Sequence, residues 1–124
     1  MARKVTIISC LLFKTVKNDS NVTKVKIDWI KKYTIGKAVD FYKSSKTTYD
    51  EVYHHVGIYS FRYETLKKFK SLTPSINELK HKLEQWRALD AKMTIGVSYV
   101  KDVPNSVDTK KDLINVENII KNKL

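Results

Sequence analysis

The stretch YHHVGIYSFRYETLKKFKSLTPS, residues 53–75, changes its apolar periodicity in the middle and so decides the fold class. Its first part, up to Phe61, is a continuous apolar and aromatic run, which is typical of a buried strand. Its second part places Leu66 and Phe69 on one helical face and then breaks at the proline. A strand that leads directly into a helix predicts an α/β domain.

Two of the three histidines of the chain, His54 and His55, stand side by side in this strand. Successive residues of a strand point to opposite faces, so these two imidazoles cannot face the same way. Either one of them takes part in chemistry, or both are structural histidines satisfied by neighbouring groups. The face that His55 shares continues with Gly57, Tyr59 and Phe61.

Further strands are predicted on both sides of this stretch. Val5–Phe13 is a short apolar run rich in β-branched residues, and residues 22–28, VTKVKID, alternate between apolar and polar. KAVDFY, residues 37–42, predicts a weaker strand, and MTIGVSYV, residues 93–100, predicts the last one.

Two helices carry a recognisable start signal. Ser75 with Glu78, and Thr109 with Asp112, have the spacing of a capping box, in which each side chain satisfies a free backbone amide. After the first cap, an apolar helical face is predicted from Leu79, Leu83, Trp86 and Leu89; after the second, a buried face from Leu113, Val116 and Ile120.

Length and composition indicate one folded domain over residues 1–124, with 42% hydrophobic residues and a net charge of +11. Nucleic-acid binding is not predicted, because the lysines are scattered and arginine occurs only at Arg3, Arg62 and Arg87. The single cysteine, Cys10, allows no intrachain disulfide and suits a reducing, cytoplasmic compartment. No apolar run reaches the roughly 20 residues that cross a membrane.

The sequence contains no GxGxxG, P-loop, paired-cysteine zinc pattern or HExxH. These motifs therefore identify no catalytic residue. What remains is a set of polar residues near the ends of predicted elements: His55, Glu84, Gln85 and Asp108.

Several separate motifs resemble the 3-deoxy-manno-octulosonate (Kdo) cytidylyltransferases, or CMP-Kdo synthetases. HVGIYSFR, LEQWRAL and VDTKKDL are similar to that family's HIGIYxYR, LEQLRAL and VDTPEDL, and NVTKVKID is similar to NVVKVVxD. The resemblance implies a fragment of a Rossmann-like nucleotide-diphospho-sugar transferase fold, with a mixed sheet and flanking helices. It places residues 1–124 in the C-terminal half of such an enzyme, and the N-terminal CTP-binding half is expected to be absent.

The resemblance also implies roles for individual residues. His55, Glu84 and Gln85 match positions that bind the sugar acid, and Lys43 stands where the family carries an arginine in the same site. Asp108 matches an aspartate that is a Mg²⁺ ligand, which agrees with the preference of Mg²⁺ for carboxylate oxygens.

The implied function is activation of Kdo by CTP, giving CMP-Kdo and pyrophosphate for lipopolysaccharide synthesis, with this chain inactive alone. The alternative is a non-catalytic remnant or interaction module of the same fold that needs a separately encoded partner. Expected partners are Kdo, CTP, and either an N-terminal half or further copies of the chain. The expectation of an N-terminal half or further copies rests on the strands Val5–Phe13 and 52–61. In half a domain these strands would leave an apolar face or edge uncovered.

Overall fold

Within the described residues the chain forms five strands and four helices. A computed structural model describes residues 7–12 by their backbone, and residues 20, 22–44, 49, 51–102 and 105–124 with their side chains. In chain order the elements are β1 (Ile7–Leu12), β2 (Lys24–Lys31), β3 (Ile35–Tyr42), β4 (Tyr53–Phe61), α1 (Tyr63–Ser71), α2 (Ile76–His81), α3 (Gln85–Asp90), β5 (Ile95–Val100) and α4 (Lys110–Lys123).

The strands pair into one closed, mixed sheet. Their order is β1, β4, β2, β3, β5, and β5 pairs again with β1. β1 and β5 run parallel, whereas all other neighbours run antiparallel. The helices α1, α2 and α3 connect β4 to β5. The predicted α/β class, with a mixed sheet and flanking helices, is confirmed.

The uncovered edge expected at the first and fourth strands is not found in their described parts. β1 pairs with β4 on one side and with β5 on the other. β4 pairs with β1 and also, over its first residues, with β2. An uncovered edge is therefore not found, because the sheet closes on itself, whereas the face of β4 that carries His54 does leave Ile58 56% exposed. Positions 5, 6 and 13 lie outside the described residues.

The core is formed by strands β2 to β5 together with Leu83 and α3, whereas α2 itself has no buried residue. β2 contributes Val25 and Ile27 at alternate positions, as the VTKVKID pattern predicts. The rest of the core comes from β3, β4, β5 and the α2–α3 region: Ala38, Phe41, Tyr53, Leu83, Ala88, Met93, Ile95 and Val97.

Lys24 is a fully buried lysine that the sequence pattern did not predict. Its ammonium group donates hydrogen bonds to the main-chain oxygens of Val22 at 3.1 Å and of Lys43 at 2.9 Å. It also lies 5.8 Å from the centroid of the Tyr42 ring. These partners compensate for the loss of water around the charge, and they tie the start of β2 to the end of β3.

The apolar face predicted from Leu79 to Leu89 belongs to two short helices. The capping box of Ser75 and Glu78 is present, as predicted. However, α2 ends at His81, because the backbone of the following Lys82 is left-handed with φ 55° and ψ 40°. The turn directs Leu83 into the core but leaves Leu79 67% exposed, so the prediction of one helical face was wrong.

The C-terminal helix α4 begins as predicted and packs differently. Thr109 and Asp112 form the predicted capping box. The predicted buried face is wrong, since Leu113 and Ile120 are each about half exposed and Val116 is only partly covered by the described residues. No helix in the described ranges is long and apolar enough to cross a membrane.

Candidate functional site

One face of β4 opens onto a pocket. His55, Gly57, Tyr59 and Phe61 occupy alternate positions of the strand and all four line the pocket. His54, on the other face, is not among the lining residues. Strand alternation thus separates the two neighbouring histidines as predicted, and His55 is the one that faces the pocket.

A bulge shapes β4 at this place. In β1, Ser9 pairs with Tyr59 and Leu11 pairs with His55. Between these two pairs β1 has one residue and β4 has three, so β4 carries two additional residues. Gly57, inside the bulge, has φ 83°, a conformation that side chains other than glycine rarely adopt. A β-carbon at Gly57 would meet nothing within 4 Å. The backbone angle, and not a lack of space, therefore favours glycine there.

The opposite wall of the pocket comes from the start of α3. The left-handed turn at Lys82 ends α2, and Glu84 then takes the N-cap position of α3. This arrangement brings Glu84 and Gln85 into the pocket that His55 lines. Three predicted sugar-binding residues are therefore neighbours in space, although His55 and Gln85 are 30 positions apart in the chain.

The pocket has a volume of about 410 Å³ and a mostly apolar lining. Its aromatic rings form a connected series, with ring centroids of Tyr59 and Phe61 6.3 Å apart and those of Phe61 and Phe69 5.7 Å apart. A few polar groups in an apolar cleft are typical of a site for a small molecule. The lining residues are His55, Gly57, Tyr59, Phe61, Phe69, Glu84, Gln85, Ala88 and Ile95.

His55 is held by contacts on both ring nitrogens. The Tyr59 hydroxyl lies 2.8 Å from Nε2, and the Gln85 amide nitrogen lies 3.4 Å from Nδ1. The Phe41 ring packs edge-on against the imidazole, with centroids 5.3 Å apart. These neighbours fix the orientation of His55 at the wall of the pocket.

Burial also fixes the charge of His55. Only 9% of the residue is exposed. Burial, and to a smaller extent the charge of the neighbouring His54, lowers the pKa of His55 to about 4. At neutral pH the imidazole is therefore uncharged, with one ring nitrogen donating and the other accepting a hydrogen bond.

The polar groups of the pocket can bind several hydroxyl groups at once. The Glu84 carboxylate accepts hydrogen bonds, the Gln85 amide both accepts and donates, and the Tyr59 hydroxyl can make a further bond besides its contact with His55. The aromatic and aliphatic side chains offer flat apolar surface to carbon atoms of a ligand. The arrangement suits a small polyhydroxylated molecule.

Lys43, also predicted to bind the sugar acid, does not line the pocket. Its side chain is exposed, and its main-chain oxygen accepts the hydrogen bond from Lys24. Phe41, two residues earlier on β3, contacts the His55 ring. β3 therefore ends near the pocket, and a role for Lys43 stays a prediction.

Asp108, the predicted Mg²⁺ ligand, lies on the surface directly before the α4 cap. Ser106 donates to its carboxylate at 3.4 Å, and the Asp108 amide donates to Asp112 at 3.3 Å. Among the described residues no group of three or more His, Cys, Asp or Glu side chains gathers at one place. Since Mg²⁺ in substrate complexes often takes one or two protein carboxylates, with water and phosphate oxygens as its other ligands, Asp108 fits as a single ligand only.

Sequence reasoning did not name the apolar half of the pocket. The alternation of β4 already placed Tyr59 and Phe61 on the face of His55, and this signal could have identified both as lining residues. Phe69 was predicted only as part of an apolar helix face. Ala88 and Ile95 carry no signal in the sequence that separates a pocket wall from the core.

Proteins described as 3-deoxy-manno-octulosonate cytidylyltransferases are similar to this chain over most of its length. No protein-family model matches the chain. The 3-deoxy-manno-octulosonate cytidylyltransferase of Bartonella tribocorum is 38% identical over 116 residues, which are 93% of this chain and 47% of that protein. The protein of the same name from Rickettsia rickettsii is 45% identical over 101 residues, covering 81% of this chain and 39% of the relative. The chain thus spans about half the length, or less, of the curated relatives it matches.

A solved structure has the same fold. It is described as CMP:2-keto-3-deoxy-manno-octonic acid synthetase complexed with CTP. It matches 98% of this chain, and 51% of its own chain, with a TM-score of 0.85 and 22% sequence identity. At that identity the likeness concerns the fold.

Proposed function

We propose that the chain, which matches 3-deoxy-manno-octulosonate cytidylyltransferases over about half of their length or less, is a member of that family and that its pocket binds the sugar acid Kdo. In this proposal the chain is the sugar-binding half of a nucleotidyltransferase. In the complete reaction a hydroxyl oxygen of Kdo bonds to the α-phosphorus of CTP and pyrophosphate leaves. The product, CMP-Kdo, serves lipopolysaccharide synthesis, and we place the protein in the cytoplasm, where CTP is available.

One observation carries the proposal: His55 meets Glu84 and Gln85 in one pocket, although Gln85 is 30 positions further along the chain. These are the residues that the resemblance assigns to sugar binding. Glu84 and Gln85 come from the start of α3 and His55 from β4, so the pocket depends on the tertiary fold and not on a local motif.

The chemistry of the lining agrees with a sugar acid. Kdo carries several hydroxyl groups, which the carboxylate, amide and phenol of the pocket can bind together, while His55 orients the Tyr59 hydroxyl and the Gln85 amide. It also carries a carboxylate, which the strongly basic chain attracts, and for which Lys43 at the end of β3 is the proposed cation. A lysine makes a point-charge contact in place of the two parallel bonds of an arginine, so we expect weak binding.

We propose Asp108 as one carboxylate ligand of Mg²⁺. Its exposed position before α4 leaves room for a hydrated ion. When bound, the ion would neutralise phosphate charge during the transfer. Its remaining ligands would be water, the phosphates of CTP, and groups outside this chain.

The alternative proposal is an interaction module that keeps the fold without catalysis. It is favoured by the positions of Lys43 and Asp108, which lie outside the pocket that His55, Glu84 and Gln85 line. Sugar binding at the pocket distinguishes the two proposals.

Addition of Kdo to the chain is expected to shift the imidazole NMR signals of His55 more than those of His54. The reason is that only His55 lines the pocket, although the two residues are adjacent. Glu84→Gln and Gln85→Ala are each expected to weaken binding about fivefold, the effect of roughly 1 kcal/mol for one hydrogen bond. Glu117→Gln on the exposed surface of α4 is the matched control and should leave binding unchanged. Equal responses of both histidines, or none at high millimolar Kdo, would refute a sugar site.

The 124-residue chain alone is expected to release no pyrophosphate from CTP, Kdo and Mg²⁺. Its sequence has no glycine-rich phosphate loop, and Asp108 alone gives the metal too few fixed partners to hold the phosphates in line. A coupled pyrophosphate assay on the purified chain tests this. Release that disappears in Asp108→Ala would show that the chain is a complete catalyst.

A further inference from the structure

The rings that line the pocket form a series that runs from a polar end to an apolar end. The ring centroids of His55 and Tyr59 are 5.3 Å apart, and Gln85 contacts the imidazole at this first end. Phe61 follows at 6.3 Å from Tyr59, and Phe69 at 5.7 Å from Phe61. The two phenylalanine rings carry no hydrogen-bonding atom. One part of a bound ligand therefore meets polar groups, and another part meets hydrocarbon.

The most deeply buried part of the pocket wall is also apolar. Ala88 and Ile95 are each 1% exposed, and both line the pocket. The main-chain oxygen of Ala88 already accepts a hydrogen bond from the Met93 amide at 2.9 Å, and Ile95 is paired with β1. A ligand hydroxyl placed against these side chains would lose its water without a side-chain partner, which is costly. We call these two residues, together with Phe61 and Phe69, the apolar end of the pocket.

Phe69 is held in place at the apolar end. The Arg87 guanidinium lies 5.3 Å from the centroid of its ring. Glu78 in turn fixes Arg87 by accepting two hydrogen bonds from it, at 2.6 and 2.8 Å. A ring held in this way keeps the wall in place when a polar group approaches. An apolar wall of this kind discriminates against a ligand that carries one additional hydroxyl.

Kdo, the sugar acid of the proposed function, has one ring carbon that matches the apolar end. It is a 3-deoxy sugar, so C3 of its ring is a methylene, whereas every other ring carbon carries oxygen. We propose that the apolar end, with Phe61 and Phe69 as its rings, holds the C3 methylene and thereby selects 3-deoxy sugar acids over those with a hydroxyl at C3. This inference rests on the proposed function and assigns a specificity role to the apolar half of the pocket.

A planar cytosine base is the less suitable occupant of the apolar end. A base is held best between parallel ring faces, on which it stacks. The ring planes of Tyr59 and Phe61 are inclined by 40°, and those of Phe61 and Phe69 by 45°. These inclined faces do not form a slot for a flat base, whereas a saturated ring carbon can pack against them.

The test compares two ligands on the complete 124-residue chain by NMR titration. One is Kdo, and the other is the 2-octulosonic acid of the same configuration with a hydroxyl at C3. Kdo is expected to bind about tenfold more tightly or better, because the additional hydroxyl would stay unpaired. Nuclear Overhauser effects should connect the C3 methylene protons of bound Kdo with the ring protons of Phe61 and Phe69.

A pair of variants on α1 tests the apolar end directly. Phe69→Ala opens this end to water, which can then hydrate a C3 hydroxyl, so the preference for Kdo should fall about threefold or more. Leu66→Ala, on the same helix but outside the pocket, is the matched control and should keep the preference. The readout is the ratio of two affinities for one variant, so a general loss of folding does not change it.

The outcomes separate this inference from the proposed function. Equal binding of both acids, or an unchanged preference in Phe69→Ala, would overturn the inference and leave sugar binding standing. Overhauser effects from Phe61 and Phe69 to the base of added CMP, in place of the C3 protons of Kdo, would also overturn it. Binding of neither acid would refute the proposed function, and the inference with it.

Discussion

Gly36→Ala is expected to destabilise the chain by about 3 kcal/mol or more, a large part of the stability of a domain of this size. Gly36 lies on β3 between two partner strands, where it pairs with Trp29 of β2 and Val97 of β5. A β-carbon there would lie 2.6 Å from Ile27 Cγ2, 2.9 Å from the Asp28 main-chain oxygen and 2.9 Å from the Trp29 ring. The backbone oxygen cannot move without disturbing the β2–β3 pairing.

Urea unfolding of two matched variants separates crowding from other effects. Gly57→Ala adds the same carbon where there is open space but φ is positive, and should cost about 1–2 kcal/mol. Lys37→Ala changes the exposed neighbour of Gly36 and should stay within about 0.5 kcal/mol of the unchanged chain. If Gly36→Ala destabilises no more than Gly57→Ala, the close approach at Gly36 is not what the structure indicates.

Local signals in the sequence predicted most elements of the fold. Alternation and apolar runs located the strands, and both capping boxes were correct because such a cap depends on four neighbouring residues. The wrong predictions concern places where contacts between residues distant in sequence determine the structure. The helix break at Lys82 accompanies the burial of Leu83, and the sequence has neither glycine nor proline at that position to indicate a turn.

Burial was the less predictable property. The pattern of α4 correctly indicated an apolar face, but the pattern cannot say whether that face has a partner within the same chain. Lys24 shows the reverse case, a charged residue in the interior whose carbonyl partners come from two separate segments. Neither outcome follows from the residues within one turn or one strand.

The candidate site was predictable in part. Strand alternation correctly isolated His55 from His54, and this needed only the local sequence. The meeting of His55 with Glu84 and Gln85 required the family resemblance, because no local pattern joins β4 to the start of α3. Lys43 and Asp108 lie outside the pocket, so their proposed roles depend on groups beyond those that line it.

Acidification from pH 7 to pH 4 is expected to cost the fold about 3 kcal/mol through His55 alone. Above pH 6.5 the imidazole is neutral in both the folded and the unfolded chain, so it contributes no pH dependence. Between pH 6.5 and 4, His55 binds a proton in the unfolded chain but stays neutral in the folded chain, because burial lowers its pKa to about 4. Each pH unit in this interval favours unfolding by about 1.4 kcal/mol.

Other groups also respond to acid, so the effect of His55 must be isolated by comparison. Hydrogen bonds lower the pKa values of Glu78 and Asp112, whose stabilising contributions are lost as these carboxylates become protonated.

The measurement is the free energy of unfolding at pH 7 and pH 4 for the unchanged chain and for His55→Gln. The decrease in the free energy of unfolding between pH 7 and pH 4 should be about 3 kcal/mol smaller in His55→Gln, because glutamine does not titrate. His54→Gln, the matched control on the other face of β4, should keep most of this decrease, because burial is the larger cause of the lowered pKa of His55 and the charge of His54 the smaller one. If both variants lose as much as the unchanged chain, His55 is not held neutral by burial, and the description of the pocket wall would need revision.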